Sequence, residues 1–598
     1  MLPTHRLSLV SFDELAGGCA SAGTIGVLRG ISRSRQLTLF RAVVDRAARR
    51  SVRLDPLPGL DQAWQLLVAA QSRDAAAVAP VLFGPQAGLW AATALRRLSE
   101  ASSGDPVPLW VDLGYLHLTA VASAIRAGVP FRARVPVRDG AVVLPTLGLA
   151  RLPGGRRWEI AEVHHSAGNR VWVRGPAGTV RLPDDPTADG RGWLATRRLR
   201  ADGVELWLDD LDPYRGFTEP LPPERIPDED AAAWADRLTA AWGLLSHQFP
   251  AAAAEIRAGL STLVPTPATS RFTTFSASTA DAFGCVVLSL PPDPVTFAVT
   301  LVHEFNHSKL SALLELVELH GPDRGDRFYA PWRDDPRPLS GLLHGVYSFL
   351  GVTGFWRRHR HAAGGAGKHW AEFEFAHWRE QTARAARTLA GARGLTALGR
   401  RFTGVMERQL ESWCEEPVPA ELVEIARRAN LDHYATWRLR HLRADPGHVR
   451  DLAVAWLAGR PRAVVATPEP EPVLAEDSTP HLQSAARATL IRLRLTEAGF
   501  FAELLHAPEL AITEIPGTTV ADLAFVDGDL PAAIAGYRDQ LAGAPAAPGA
   551  WIGLGLAAAQ ETLLTRPELV VALHRELTDR RGAQPDPLRL AEWLGAVR

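Results

Sequence analysis

Apolar positions divide the chain into stretches of different period. Through residues 1–104, segments such as SRQLTLFRAVVDRAARR and GLDQAWQLLVAA place them at helical spacing, with Gly and Pro as punctuation. From about 128 to 215 the texture changes to short runs rich in β-branched and aromatic residues, including FRARVPV, GAVVLPTL, WEIAEVHH and RVWVRG, separated by Gly, Pro, Asn and Asp. These predict an antiparallel β module. Helical spacing returns at 228–262, where Pro250 is expected to break or kink the run. Two strand-like pieces, RFTTFSAS and GCVVLSL, then lead into 293–320, DPVTFAVTLVHEFNHSKLSALLELVELH. Asp293 is a good N-cap, Pro294 suits the first helical position, and Gly321-Pro322 is expected to end this helix. A second helix is expected from Pro338, followed by helices to about 460. The Pro- and acid-rich ATPEPEPVLAEDSTP has too little apolar content to pack and predicts a linker. Beyond it, the small-residue, aromatic and Pro placement of ADLAFVDGDLPAAIAGYRDQLAGAPAAPGAWIGLGLAAA resembles one tetratricopeptide-like helical pair. A single pair cannot bury a core alone and must lean on its neighbours.

The expected fold class is therefore α+β: a mainly helical multidomain chain with an antiparallel β module and a zincin-like strand–helix metal core. Its expected divisions are a helical region at 1–104, a β-rich module at 105–220, a domain at 221–460 carrying the HExxH motif, a linker at 461–484 and a helical region at 485–598. At 598 residues the chain exceeds one hydrophobic core.

Composition changes this picture mainly by exclusion. With 65 basic and 66 acidic residues, a net charge of −1 gives no global field toward nucleic acid or an anionic membrane. Lysine occurs only at Lys309 and Lys368, a coding bias toward arginine. Cys19, Cys285 and Cys414 are far apart and form no cysteine metal or disulfide framework, which suits a reducing cytoplasm. No signal peptide is expected. The uncharged stretch 75–95 is nominally long enough to span a bilayer, but Pro80, Gly84, Pro85 and Gln86 interrupt it and predict two buried helices instead.

The chemistry concentrates at His303, Glu304, Phe305, Asn306 and His307. At 3.6 residues per turn, His303 and His307 lie one above the other, where two imidazoles can bind one ion. A third ligand is open: His344 lies on the second helix on the face of Tyr347 and Gly351, and its convergence with the pair is expected. His164 and His165, adjacent on a strand, point to opposite faces and do not share an ion. His359, His361, His369 and His377 are expected on surfaces. Leu310 and Leu313 stand where a metzincin needs Gly and His, which excludes that subclass. The second helix offers no gluzincin carboxylate, and Glu315 and Glu318 are expected further along the same rigid helix, unable to reach back.

The segments VTLVHEFNHSKLSALLELV and DDPRPLSGLLHGVYSFLGV resemble the HExxH-motif proteins of ribosomal peptide modification, also described as α-ketoglutarate-dependent HExxH-type peptide β-hydroxylases, over roughly 265–445. The resemblance implies non-haem Fe(II), α-ketoglutarate and O₂, a precursor peptide as substrate with hydroxylation at a β-carbon, such as that of an aspartate, and a radical-SAM maturase as a separate partner. It implies metal ligation by His303 and His307, with His344 matching the family's downstream histidine. Arg337 is the candidate anchor for α-ketoglutarate, because a guanidinium meets a carboxylate bidentately; surface pairing with Asp334 or Asp335 is the alternative. Glu304 is a candidate catalytic residue: a general base if the protein is a zinc peptidase, a ligand-orienting, water-holding or iron-binding group in an oxygenase. A zinc peptidase, with Tyr347 as a possible oxyanion donor, and a non-catalytic peptide-binding scaffold are the alternatives. An extended peptide is expected to bind along an edge strand near 272–290.

Overall fold

The computed structural model describes residues 4–595 except 101–106, 155, 167, 169, 462–472, 475–481 and 583. Helix accounts for about 60% and strand for 12%, so the chain is mixed α+β with helix dominant. It forms two compact units, divided between Glu318 and Leu319. The division falls within 221–460 and places the HExxH pair and His344 in different units.

The first unit opens with helices Leu9–Ala16, Ala22–Arg49, Leu60–Arg73, Ala75–Leu82 and Pro85–Ser99. Ser8, Ser21 and Asp74 cap three of them with side-chain oxygens. The uncharged stretch 75–95 folds as two helices bent by 54°, with Trp90 and Ala91 fully buried. Among the described residues no single helix is long and apolar enough to cross a membrane; the bent pair qualifies by length and composition only.

Next comes a seven-stranded, wholly antiparallel sheet built from β1 (Phe131–Arg138), β2 (Ala141–Leu144), β3 (Gly148–Arg151), β4 (Trp158–His165), β5 (Val171–Gly175), β6 (Gly178–Arg181) and β7 (Trp193–Ala195), in the order β6-β5-β4-β1-β2-β3-β7. The β1–β4 register runs from Phe131 opposite His165 to Arg138 opposite Trp158. His165 is buried and its Nδ1 lies 2.8 Å from the Val129 carbonyl, while His164 stacks on Trp172, so the two histidines use different faces.

A second, mixed sheet contains β8 (Arg197–Ala201), β9 (Val204–Leu208), β10 (Thr262–Pro265), β11 (Ser276–Ala277) and β12 (Cys285–Leu288), in the order β11-β12-β10-β9-β8. β10 runs parallel to both β9 and β12, and β8 and β11 are antiparallel edges. The parallel step from β9 to β10 needs a crossover, which helices Asp228–Gln248 and Pro250–Gly259 supply on either side of the break before Pro250.

β12 leads into helix Pro294–Leu314, which carries the HExxH motif. Asp293 Oδ1 accepts the N–H groups of Val295 and Thr296 at 2.8 and 2.9 Å, and Pro294 takes the first helical position. The helix ends at Leu314, seven residues before Gly321, and the expectation of a run to Gly321 is corrected. Leu319 and His320 are taken up by other partners: Leu319 accepts the Thr396 N–H, and His320 bridges Leu395. These tertiary bonds outweigh the helical preference of LELVEL. Glu315 is therefore the C-cap and Glu318 lies off the helix.

The second unit is helical, beginning with Leu339–Ala362, Gly365–Ala390, Ala397–Cys414 and Ala420–His441. Buried Tyr347, Phe373, Phe375 and Phe402 lie in its core, and half-buried Trp332 stacks on Phe349 at 4.8 Å, which meets Trp378 at 4.4 Å. His361 and His369 are exposed as expected, but His359 and His377 are buried. Their imidazoles stack on Phe355 and Phe373, which draws both rings into the interior. Of the expected linker 461–484, the structure describes only 461, strand Val473–Leu474, paired with Leu442–Arg443, and the start of helix Leu482–Thr496; the rest lies outside the described residues. The stretch expected to form a tetratricopeptide-like pair folds as three helices, Val520–Asp527, Leu530–Gly543 and Pro548–Ala557, because Gly528 in the left-handed region ends the first before Asp529 caps the second. A Cβ on Gly553 would sit 2.3 Å from the Tyr537 ring, so only glycine permits this approach. Arg487, fully buried, joins the tail to the helix Ala420–His441 through Asp432 and to Asp522 at 2.8 Å.

Candidate metal centre

His303 and His307 project from adjacent turns of the Pro294–Leu314 helix, with Nε2 atoms 3.2 Å apart. Two nitrogens bound at about 2.0–2.1 Å to one ion, at tetrahedral to octahedral angles, lie about 2.9–3.4 Å apart. The pair thus fits a shared metal. Burial lowers the His303 pKa to about 4. That imidazole is neutral near pH 7, the form that ligates a metal.

Glu304 is 2% exposed and its carboxylate is held on both oxygens. Ser276 Oγ donates to Oε1 at 2.7 Å and Ser278 Oγ to Oε2 at 2.6 Å. Both serines come from β11 and its continuation, where residues two apart share one face. Oε1 lies 3.8 Å from His303 Nε2. The strand before the metal helix therefore fixes the motif's carboxylate beside its first histidine.

The far side of the helix is anchored separately. Phe297, Leu301, Phe305 and Leu313 are buried, and Phe297 meets Trp234 edge-on at 5.8 Å. Lys309, 1% exposed, donates to Glu255 Oε2 at 2.6 Å and to the Gly18 carbonyl at 3.0 Å. Glu255 Oε1 accepts the Ala20 N–H at 2.7 Å. One buried ion pair thereby ties the HExxH helix to the Pro250–Gly259 helix and the N-terminal region.

No protein-family model and no curated protein matches the chain. The residues alone carry the functional reading.

Among the described residues, no group of three His, Cys, Asp or Glu side chains is assembled for a metal. His344 lies in the second unit on the Leu339–Ala362 helix, where burial first, and His320 second, lower its pKa to about 4. Tyr347, one turn further along that helix, is fully buried beside the Phe402 ring. Arg337 takes the surface pairing open to it from sequence: its Nη1 donates to Asp335 Oδ2 at 2.9 Å, while Arg333 Nε donates to the other oxygen. Burial raises the Asp335 pKa, but these arginine bonds outweigh it and hold the carboxyl below its ordinary value. The backbones of Phe328 and Arg337 exchange two hydrogen bonds, which shapes the turn that presents this arginine.

Two features of the site escaped the sequence reading. The Ser276 and Ser278 clamp had a signal in the S-x-S spacing of a strand next to the metal helix. The Lys309–Glu255 pair had one too, since one of only two lysines sits within a buried helix.

Proposed function

We propose that this protein is a non-haem Fe(II)- and α-ketoglutarate-dependent hydroxylase acting on a side chain of a ribosomally made precursor peptide. The observation that carries this reading against the zinc peptidase is the clamp on Glu304. A peptidase base must take a proton from a metal-bound water. Here both oxygens of that carboxylate already accept serine hydroxyls in a buried position, an arrangement suited to orienting its neighbours. His303 and His307 hold the metal. His344 as third ligand enters from the family resemblance alone, and Arg337 as cosubstrate anchor from the fit of a guanidinium to a carboxylate. When bound, iron with α-ketoglutarate and O₂ supplies an oxidation that places one oxygen atom in a C–H bond.

The chain's own contribution is to hold the imidazole pair at fixed spacing, with His303 neutral, and to offer a peptide a place to lie. β11 is an edge strand whose serines reach the motif, and Phe275 beside it is 50% exposed. These support an extended peptide adding along 272–280. The zinc peptidase is the second reading, favoured by the proximity of Glu304 to His303.

The test supplies Fe(II), O₂, α-ketoglutarate and a precursor peptide encoded beside this protein. The expected result is succinate, with an uncut peptide heavier by about 16 Da, one oxygen atom. Glu304→Gln should retain hydroxylation in proportion to its bound iron. Zinc-dependent cleavage, indifferent to α-ketoglutarate and lost in Glu304→Gln, would overturn the proposal.

A further inference from the structure

A cavity of about 280 Å³ lies in the first unit. The Ala22–Arg49 helix, the bend between Ala75–Leu82 and Pro85–Ser99, β9, and the loop 280–283 before β12 enclose it. It is distinct from the histidine pair, meeting the HExxH helix at Phe305, which packs against Phe283 (rings 6.3 Å apart) and Gly259, and at the helix C-cap Glu315, which pairs with Arg35. The volume suits one small molecule.

The cavity's polar groups are unbalanced in charge. Arg35 and Asp281 neutralise each other at 2.6 Å, and Arg35 also pairs with Glu315 at 2.9 Å. Asp209 is buried and accepts the backbone N–H groups of Leu211 and Asp212. Arg29, Arg33 and Arg257 are left over, and Arg257 is taken up by the Trp242 ring at 5.5 Å and the Asp202 carbonyl at 3.5 Å. Arg29 donates to the Ala258 carbonyl at 3.2 Å, and Arg33 lies over the Phe83 ring at 4.9 Å. Among the described residues neither has a carboxylate partner. Two cations one helical turn apart repel; burial first, and Arg29 second, lower the Arg33 pKa.

The wall also holds donors that lack acceptors. Gln86 Nε2 and Trp207 Nε1 are buried without a hydrogen-bond partner. A buried donor without an acceptor is costly, so such groups mark places where an acceptor belongs. The rest of the wall is mixed: Leu39, Phe83 and Phe283 supply apolar surface beside the polar Ser32, Gln36, Ser261 and Thr262.

We infer that this cavity is a binding site for a small organic acid, with its carboxylate taken by Arg29 and Arg33 and its apolar body against Phe83 and Phe283. A bare phosphate would satisfy the arginines but leave the apolar wall unused. The two ligand sources are separable by probe.

The test is ligand-observed NMR and titration calorimetry on the full-length protein. The probes are phenylacetate, 4-methylpentanoate and their primary amides, with inorganic phosphate alongside. Both carboxylates should bind at least tenfold more tightly than their amides and more tightly than phosphate. Arg33→Met should weaken carboxylate binding at least tenfold while leaving metal uptake and the unfolding midpoint in place. Arg29→Met, at a more exposed position, should weaken it less and is the second variant if Arg33→Met does not fold. Equal binding of acids and amides, phosphate binding without carboxylate binding, no binding by any probe, or full affinity in both variants would each overturn the assignment.

Discussion

The helices Pro294–Leu314 and Leu339–Ala362 carry the histidines of interest in opposite manners. In the first, two imidazoles one turn apart are brought to 3.2 Å by the helix itself, while strand β11 and Glu255 hold the residues next to them. In the second, His344 stands one turn before buried Tyr347 in an aromatic core, with its charge suppressed by burial and by His320. A pair within one helix is pre-organised by local geometry. A ligand contributed from another element depends on tertiary structure, which local geometry does not determine.

The sharpest way to break this comparison is to remove one histidine from each helix. His307→Ala should reduce metal in the purified protein to background, because the preset pair is gone; His344→Ala should leave a weaker site that still fills at raised metal concentration. Elemental analysis across a metal titration reads both. If His344→Ala abolishes uptake while His307→Ala does not, the primacy of the HExxH helix is lost.

The next effect lies on the anchored side of the same helix. Lys309→Met leaves Glu255 buried without its cation and should destabilise the first unit by about 3–5 kcal/mol. Combining it with Glu255→Gln should recover part of that loss. Urea unfolding measures both, and a Lys309→Met midpoint equal to that of the parent protein would refute the anchor.

The smallest effect is a pH dependence. His344 has a folded pKa of about 4 against an ordinary 6.5, so between these values the unfolded chain binds a proton that the folded one does not. Stability is then full above pH 6.5 and falls as pH drops toward 4, with no further contribution below that. His303 acts in the same direction and window. His344→Gln should flatten the slope by on the order of 2 kcal/mol between pH 7 and pH 5. An unchanged slope would show that this imidazole titrates normally.

Much of this architecture could be read from apolar period and capping residues. Asp293 and Pro294 mark the start of the HExxH helix, Pro250 the break between Asp228–Gln248 and Pro250–Gly259, and the 75–95 bend follows from Gly84 and Pro85. The antiparallel module is legible because most of its strands pair with sequence neighbours, while the β1–β4 and β3–β7 pairings are long-range. What the pattern could not supply was long-range. The helix end at Leu314 is decided by Thr396 and Leu395, some eighty residues away. The burial of His359 and His377 is decided by stacking among aromatics whose packing no local period encodes. Glu304 was recognised as a candidate, but its serine partners come from a two-residue strand, too short to register as a pattern of its own.

Arg487 gives the C-terminal tail a meaning that repeat-like sequence alone would not. Its guanidinium bridges Asp432 in one helix and Asp522 in another with no access to water, so peeling the tail away takes the cation from Asp432. Partial detachment is therefore worse than either extreme, and the second unit should lose its order in a single step. Hydrogen exchange along 420–441 and 520–557 should report one shared opening, and the tail serves as a keystone for the helices before it.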